Sequence, residues 1–134
     1  MENFPFCVSF APSFANHGID NANPGIMFGW VSSDFGHQYY NLLFSGSRLL
    51  LERVGFRSGE SYMDFSHIDE GVKFQLIDGK EYRVVVQVSV EMVHVFIDNV
   101  RRYSIATPSD SIGRVGLRPW RTRLTCSFFE VTDL

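Results

Sequence analysis

Lysine is nearly missing from this chain: only Lys73 and Lys80 occur in 134 residues, and alanine is scarce as well. Both are strong helix formers, so long solvent-exposed helices are poorly provided for. Cysteine occurs twice, at Cys7 and Cys126, far short of a disulfide scaffold. If the terminal strands are neighbours, a bridge between the two is geometrically conceivable; the apolar residues around each favour two buried free thiols instead. There is no run of 18 apolar residues, so no membrane span is expected. The N-terminus, Met1-Glu-Asn-Phe-Pro5, lacks a charged-then-apolar signal region and reads equally well as a start codon before an excised domain. A net charge of −3 gives no reason to expect nucleic acid or an anionic membrane as partner. Catalytic signatures are missing too. No Gly-x-Ser-x-Gly elbow occurs, and His17, His37, His67 and His94 show no metal-ligand spacing.

What the chain has in abundance is aromatic. Thirteen Phe, five Tyr and two Trp point to two faces packed through rings. The length fits one domain, large enough to build a core without staples. The stretch from Tyr82 to Trp120 is dominated by Val, Ile and aromatic residues, with breaks at Asp98-Asn99 and around Pro108. That is the composition of pleated, half-buried surface, and it reads as three or four consecutive antiparallel strands. Tyr82, Val84, Val86 and Val88 share one face, with Arg83, Val85, Gln87 and Ser89 on the other. Asp98-Asn99 is a hairpin turn, since both residues tolerate positive φ.

Further strands are expected at Phe6–Phe10, bounded by Pro5 and Pro12, at Gly25–Val31, and at Gln38–Phe44. Arg48–Val54 returns from a tight connection at Ser45-Gly46-Ser47, and Tyr62–His67 allows a short strand. Arg101–Ile105, Arg114–Arg118 and Leu124–Val131 complete the set. Residues 13–24 read as loop. The glycines of Gly25–Val31 imply close backbone approach or a bulge. Nine to eleven short strands without a helix mean a sandwich or barrel. The expected class is all-β, an antiparallel two-sheet β-sandwich over residues 1–134.

Several segments carry a resemblance in the right order over roughly residues 25–132. Gly25-Ile-Met-Phe-Gly-Trp30, Tyr39-Tyr-Asn-Leu-Leu-Phe-Ser-Gly46 and Leu49-Leu-Leu-Glu-Arg53 resemble the early hairpin of concanavalin A-like jelly rolls. Within that superfamily the laminin-G-like and glycosidase-associated branches are the nearest in pattern. Tyr82 to Asn99 resembles their central hairpin, Gly113 to Trp120 a late strand, and Phe128 to Asp133 the closing one. Asp98-Asn99 stands where Asp-Gly is commoner, and the short N-terminus lacks an additional strand and tryptophan found in many glycosidase-associated members. The resemblance implies a jelly roll and a carbohydrate-binding, lectin-like role, in the extracellular or cell-surface setting of such modules. Fold alone does not give function.

Sugar binding needs an aromatic platform and a few placed polar groups. Trp120, Tyr39, Tyr40 and Trp30 are candidate platforms; Arg118, Arg48, Arg53, Asp34, His37, Gln38 and Asn41 are candidate hydrogen-bonding groups. Arg118 and Trp120 stand two apart and share a strand face, unless Trp120 is core and Arg118 a solvated edge. Tyr39 and Tyr40 point to opposite faces, one expected in the core and the other exposed, with the phase open. Arg101, Arg102, Arg114, Arg118, Arg121 and Arg123 crowd the last third of the chain, as exposed strand and loop residues or as a local anion or sugar patch.

No cofactor is expected. A structural calcium would find hard oxygens at Asp20, Asn21 and Asn23, where solvated loop residues explain the same pattern. A glycosidase would need two carboxylates flanking a cleft, drawn from Glu52, Glu60, Asp64, Glu81 and Asp98. The primary expectation is a non-catalytic glycan-binding module, alone or within a larger glycan-active protein. The abundance of Phe supports an alternative, a structural or protein-interaction domain that uses an apolar sheet face or edge to assemble with a partner or, as a homo-oligomer, with copies of itself.

Overall fold

Alternation of buried and exposed residues at a period of two sets the architecture. The computed structural model describes residues 6–15, 24–33, 36–45, 47–57, 64–108, 115–118 and 123–133. Among these it has eleven strands and no helix: β1 (Phe6–Ala15), β2 (Gly25–Ser33), β3 (Gly36–Ser45), β4 (Arg48–Arg57), β5 (Asp64–His67), β6 (Val72–Lys73), β7 (Val84–Val88), β8 (Met92–Ile97), β9 (Val100–Ala106), β10 (Gly116–Arg118) and β11 (Arg123–Asp133). A five-stranded sheet runs β11-β1-β7-β8-β9, and a six-stranded sheet runs β10-β2-β3-β4-β5 with β6 beside β4. All the pairings are antiparallel.

The core lies between the sheets. Val84, Val86 and Val88 on β7, and Val93, Val95 and Ile97 on β8, bury one face against Ile26, Phe28, Tyr40, Leu42, Phe44, Leu49 and Leu51 of the other sheet. Rings continue the packing from Phe6 to Phe28 to Tyr40, and separately from Phe44 to Phe74 to Tyr82, with centroids 5.7–6.1 Å apart. The face that the sequence gives to Tyr82, Val84, Val86 and Val88 is the buried one. Asp98 and Asn99 take φ of 51° and 68°, and the Asp98 carboxylate accepts the Arg83 backbone N–H at 2.8 Å.

The six-stranded layer departs from regularity at two glycines. A Cβ on Gly25 would lie 1.8 Å from the Leu42 carbonyl oxygen. Gly29 has φ of 68°, inside the register shift between Phe28 and Val31. One is a close approach and the other a bulge.

Several expectations are corrected. The first strand does not stop at Pro12 but continues to Ala15, which places Ser13–Ala15 in a strand rather than a loop. Proline is tolerated there because it stands at the register irregularity between Phe10 and Pro12, and bulges are where a strand accepts proline. The stretch 82–120 supplies three consecutive strands to one sheet, while β10 joins the other at its edge. Cys7 and Cys126 are free and half-buried. They lie on neighbouring strands, yet Cys7 opposes Thr132 and Cys126 opposes Pro12. Cys126 packs on the core, whereas Cys7 alternates with the core residues Phe6 and Val8. Register and face both keep them apart.

Candidate glycan-binding face

The strand β3 buries both its faces. Even-numbered residues Tyr40, Leu42 and Phe44 enter the core, whereas Tyr39, Asn41 and Leu43 are buried on the opposite side of the sheet. On β4 the odd residues Leu49 and Leu51 point inward, and Leu50, Glu52 and Val54 point outward and are also buried. The connection between β3 and β4 sets this phase. Ser45 pairs with Arg48, so two residues join the strands and every pair down the ladder follows.

That register brings Asn41 opposite Glu52, and both are buried polar side chains. They stand in a row crossing the sheet from Gly116 through Met27, Asn41 and Glu52 to His67. With strands spaced about 4.8 Å, the row is about 19 Å long. The Asn41 Nδ2 donates to Glu52 Oε2 at 3.3 Å. Glu52 Oε1 lies 3.9 Å from His67 Nε2, an ion pair when the imidazole is protonated. Asn41 Oδ1 is buried and accepts no hydrogen bond. Leaving such an acceptor unpaired costs about 1–3 kcal/mol, so packing alone does not account for an asparagine here.

Apolar rows flank the polar one. Tyr39, Val54 and Phe65 form one, and Leu43 with Leu50 the other. Phe65 is 56% exposed and two residues from His67 on β5, so both side chains share the face. Buried acceptors, an imidazole at the rim and an open aromatic ring therefore meet along β3, β4 and β5.

The sequence candidates divide between the two sides of this sheet. His37, Tyr39 and Arg48 alternate in phase with Asn41 and Glu52, and Arg118 on β10 occupies the register row of Gly25, Leu43 and Leu50. Gln38 belongs to the core-facing phase at the end of β3, where its carboxamide oxygen accepts from Arg53. The expectation of one exposed tyrosine is corrected: Tyr39 and Tyr40 are 5% and 2% exposed, on opposite faces. Neither offers an open ring, because β3 is central in its sheet and covered on both sides. Among the described residues of this face the exposed aromatic is Phe65, in the segment whose strand signal is weakest. Trp120, Asp34, and the calcium candidates Asp20, Asn21 and Asn23 lie outside the described residues, as does the side chain of Trp30.

The terminal arginines are split. Arg101 and Arg102 are exposed on β9, an edge of the five-stranded sheet, while Arg118 closes β10, an edge of the six-stranded one. Among the described residues no three His, Cys, Asp or Glu side chains group to hold a metal ion, and no helix is long and apolar enough to cross a membrane. Glu52 is the one buried carboxylate among them.

The architecture is an antiparallel two-sheet β-sandwich. Among solved structures it is similar to the carbohydrate-binding module CBM66 from Bacillus subtilis, with a TM-score of 0.70 at 14% identity over 98% of this chain and 76% of that one. It is also similar to sheep galectin-11, solved with glycerol, with a TM-score of 0.56 at 12% identity over 98% and 92% of the two chains. An ancestral congerin matches with a TM-score of 0.50 at 13% identity over 98% and 96%. At these identities the likeness is one of fold. No family model and no curated protein sequence matches the chain.

Proposed function

We propose that this chain is a non-catalytic carbohydrate-binding domain whose glycan lies on the outer face of the six-stranded sheet. The observation that carries the reading is the exposed pair Phe65 and His67 on β5, backed by the buried polar pair Asn41–Glu52 in the row of His67. Sugars present hydroxyl donors in a ring plane and an apolar face of C–H groups. The exposed imidazole of His67, with the buried Glu52 beside it, meets the first, and Phe65 offers a stacking surface for the second. His67 closes the rim. The fold likeness to a carbohydrate-binding module and to galectin-11 supports the same reading. Arg118, whose backbone ends β10, and Trp120, outside the described residues, are carried into the test as further contacts.

A hydrolytic reading draws less support, because glycoside cleavage uses two carboxylates about 5–9 Å apart across a cleft. Glu52 instead pairs with an amide and an imidazole.

A glycan array of the folded chain tests this proposal beside Asn41→Ala, Glu52→Ala, Phe65→Ala, Arg118→Ala and Trp120→Ala. Selective binding by wild type, weakened at least tenfold by the first three changes, is expected. Loss only with Arg118→Ala and Trp120→Ala would move the site to the segment that carries these two residues. A wild-type protein that binds no glycan would remove the function itself.

A further inference from the structure

Arg48 and Lys73 stand directly opposite each other on the paired strands β4 and β6, one cation facing another. Like charges in that position destabilise a sheet. Lysine is used only twice in the chain, and one of the two is placed here. Among the described residues no carboxylate lies within ion-pair distance of either cation, and Glu70 in the preceding turn pairs with neither.

Local structure holds the two cations together. The two-residue connection after Ser45 sets the start of β4. β6 is pinned beside it by the Gly71 N–H, which donates to Asp69 Oδ1 at 2.8 Å, and by the Phe74 N–H, which donates to the Ser47 carbonyl at 2.8 Å. Gly71, at φ 70°, lies so near β4 that a Cβ would come within 2.6 Å of the Leu50 Cβ. The turn before β6 is thereby drawn down onto the sheet. Val72 packs on the core and opposes Leu49, so Lys73 takes the outer face by alternation. Arg48 takes the same face, in phase with Leu50 and Glu52. Edge protection accounts for a lysine on β6. It does not account for Arg48, which is half-buried between Ser45 and Lys73 with a strand on either side.

The cations share their face with Phe65 and His67. Arg48 and Glu52 are four residues apart on β4, which puts the pair about 14 Å along the strand from the row of His67. A few linked sugar rings span that distance. A guanidinium offers a planar fork to a carboxylate or sulfate, and an ammonium beside it adds a point charge. We propose, on the glycan-binding reading above, that the glycan is acidic and that Arg48 and Lys73 together bind its carboxylate or sulfate group while Phe65 and His67 take a sugar ring. The bound anion offsets the repulsion between the two cations, so the ligand completes the charge balance that the sheet lacks.

Arrayed oligosaccharides in matched forms test this on the full chain, each neutral, with a uronate carboxylate, and with a sulfate ester. Wild type should hold an acidic form about tenfold tighter than its neutral match, the effect of one hydrogen bond to a charged group. Added sodium chloride should narrow that ratio. Arg48→Gln and Lys73→Gln should each remove most of the preference, whereas Arg101→Gln, an exposed arginine of the other sheet, should keep it. Lys73 is exposed, so its variant carries the test if Arg48→Gln fails to fold. Because the paired cations oppose folding, Lys73→Gln should also have a urea midpoint equal to or above that of wild type. A preference for uronate alone or sulfate alone supports the proposal and names the anion. Equal binding of neutral and acidic forms by wild type overturns it and leaves the glycan-binding reading standing, and binding of no glycan overturns both. An acidic preference that survives Lys73→Gln and Arg48→Gln overturns the assignment of these two residues.

Discussion

Asn41 and Glu52 concentrate the tension between stability and function in two side chains. Deleting one partner strands the other, because a buried carboxylate without its donor is costlier than the pair. Asn41→Leu should therefore lower the unfolding free energy by about 1–3 kcal/mol in urea titration. Asn41→Leu combined with Glu52→Leu removes every buried polar atom of the pair, and its urea midpoint should equal or exceed that of wild type. Glycan binding should be lost in both. A double variant less stable than Asn41→Leu alone would show that the pair exists for stability. Both residues are legible in the sequence as polar positions in apolar strands, and the two-residue connection after Ser45 fixes them as partners. Their burial is not legible, because alternation tells which face a residue takes and not how far that face is covered. The phase of Tyr39 and Tyr40 is hidden for the same reason: alternation shows that they part, and both sides of a central strand are covered.

At the scale of elements, local chemistry carries furthest where it is strongest. The Asp98-Asn99 turn, the alternating valines of β7 and β8 and the glycines of β2 are written in residue types, and the structure has each where the sequence puts it. Weakly patterned pieces are the poorly read ones. β5 has four residues and no alternation to announce it, yet it contributes Phe65 and His67 to the candidate face. Gly25 offers a direct check on how tightly β2 meets β3. A methyl group there would sit against the Leu42 carbonyl, and backbone cannot step aside as a flexible side chain does. Gly25→Ala should cost about 2 kcal/mol or more, within the range of overpacked sites, and lower the thermal midpoint. A midpoint equal to wild type would mean that β2 and β3 are farther apart than described.

At the scale of the whole molecule, a polar contact among the described residues clasps the two sheets. Tyr103, on β9 of the five-stranded sheet, donates its phenol to Asp69 Oδ1 at 2.6 Å, and Asp69 follows β5 of the other layer. Burial first, and then the Asp69 carboxylate, push the Tyr103 phenol well above the usual tyrosine range. A raised folded-state value means the clasp is fully present below the unfolded tyrosine's pKa of about 10. It is lost as pH climbs through the higher folded value. Tyr103→Phe should cost about 1.5 kcal/mol at neutral pH, the low end for a hydrogen bond to a charged group because Asp69 faces solvent. The gap from wild type should shrink in unfolding curves recorded above about pH 10, and a gap that persists there would assign the cost to packing.

The larger claim concerns the face that this clasped sandwich presents. Titration of the isotope-labelled protein with the best array glycan, followed by amide chemical shifts, tests it most directly. Saturable shifts centred on Asn41, Glu52, Phe65 and His67 are predicted, with little change at Cys7, Gln87, His94 and Ser104 on the outer face of the five-stranded sheet. Shifts centred on that second face, with the Asn41 row unmoved, would contradict the account.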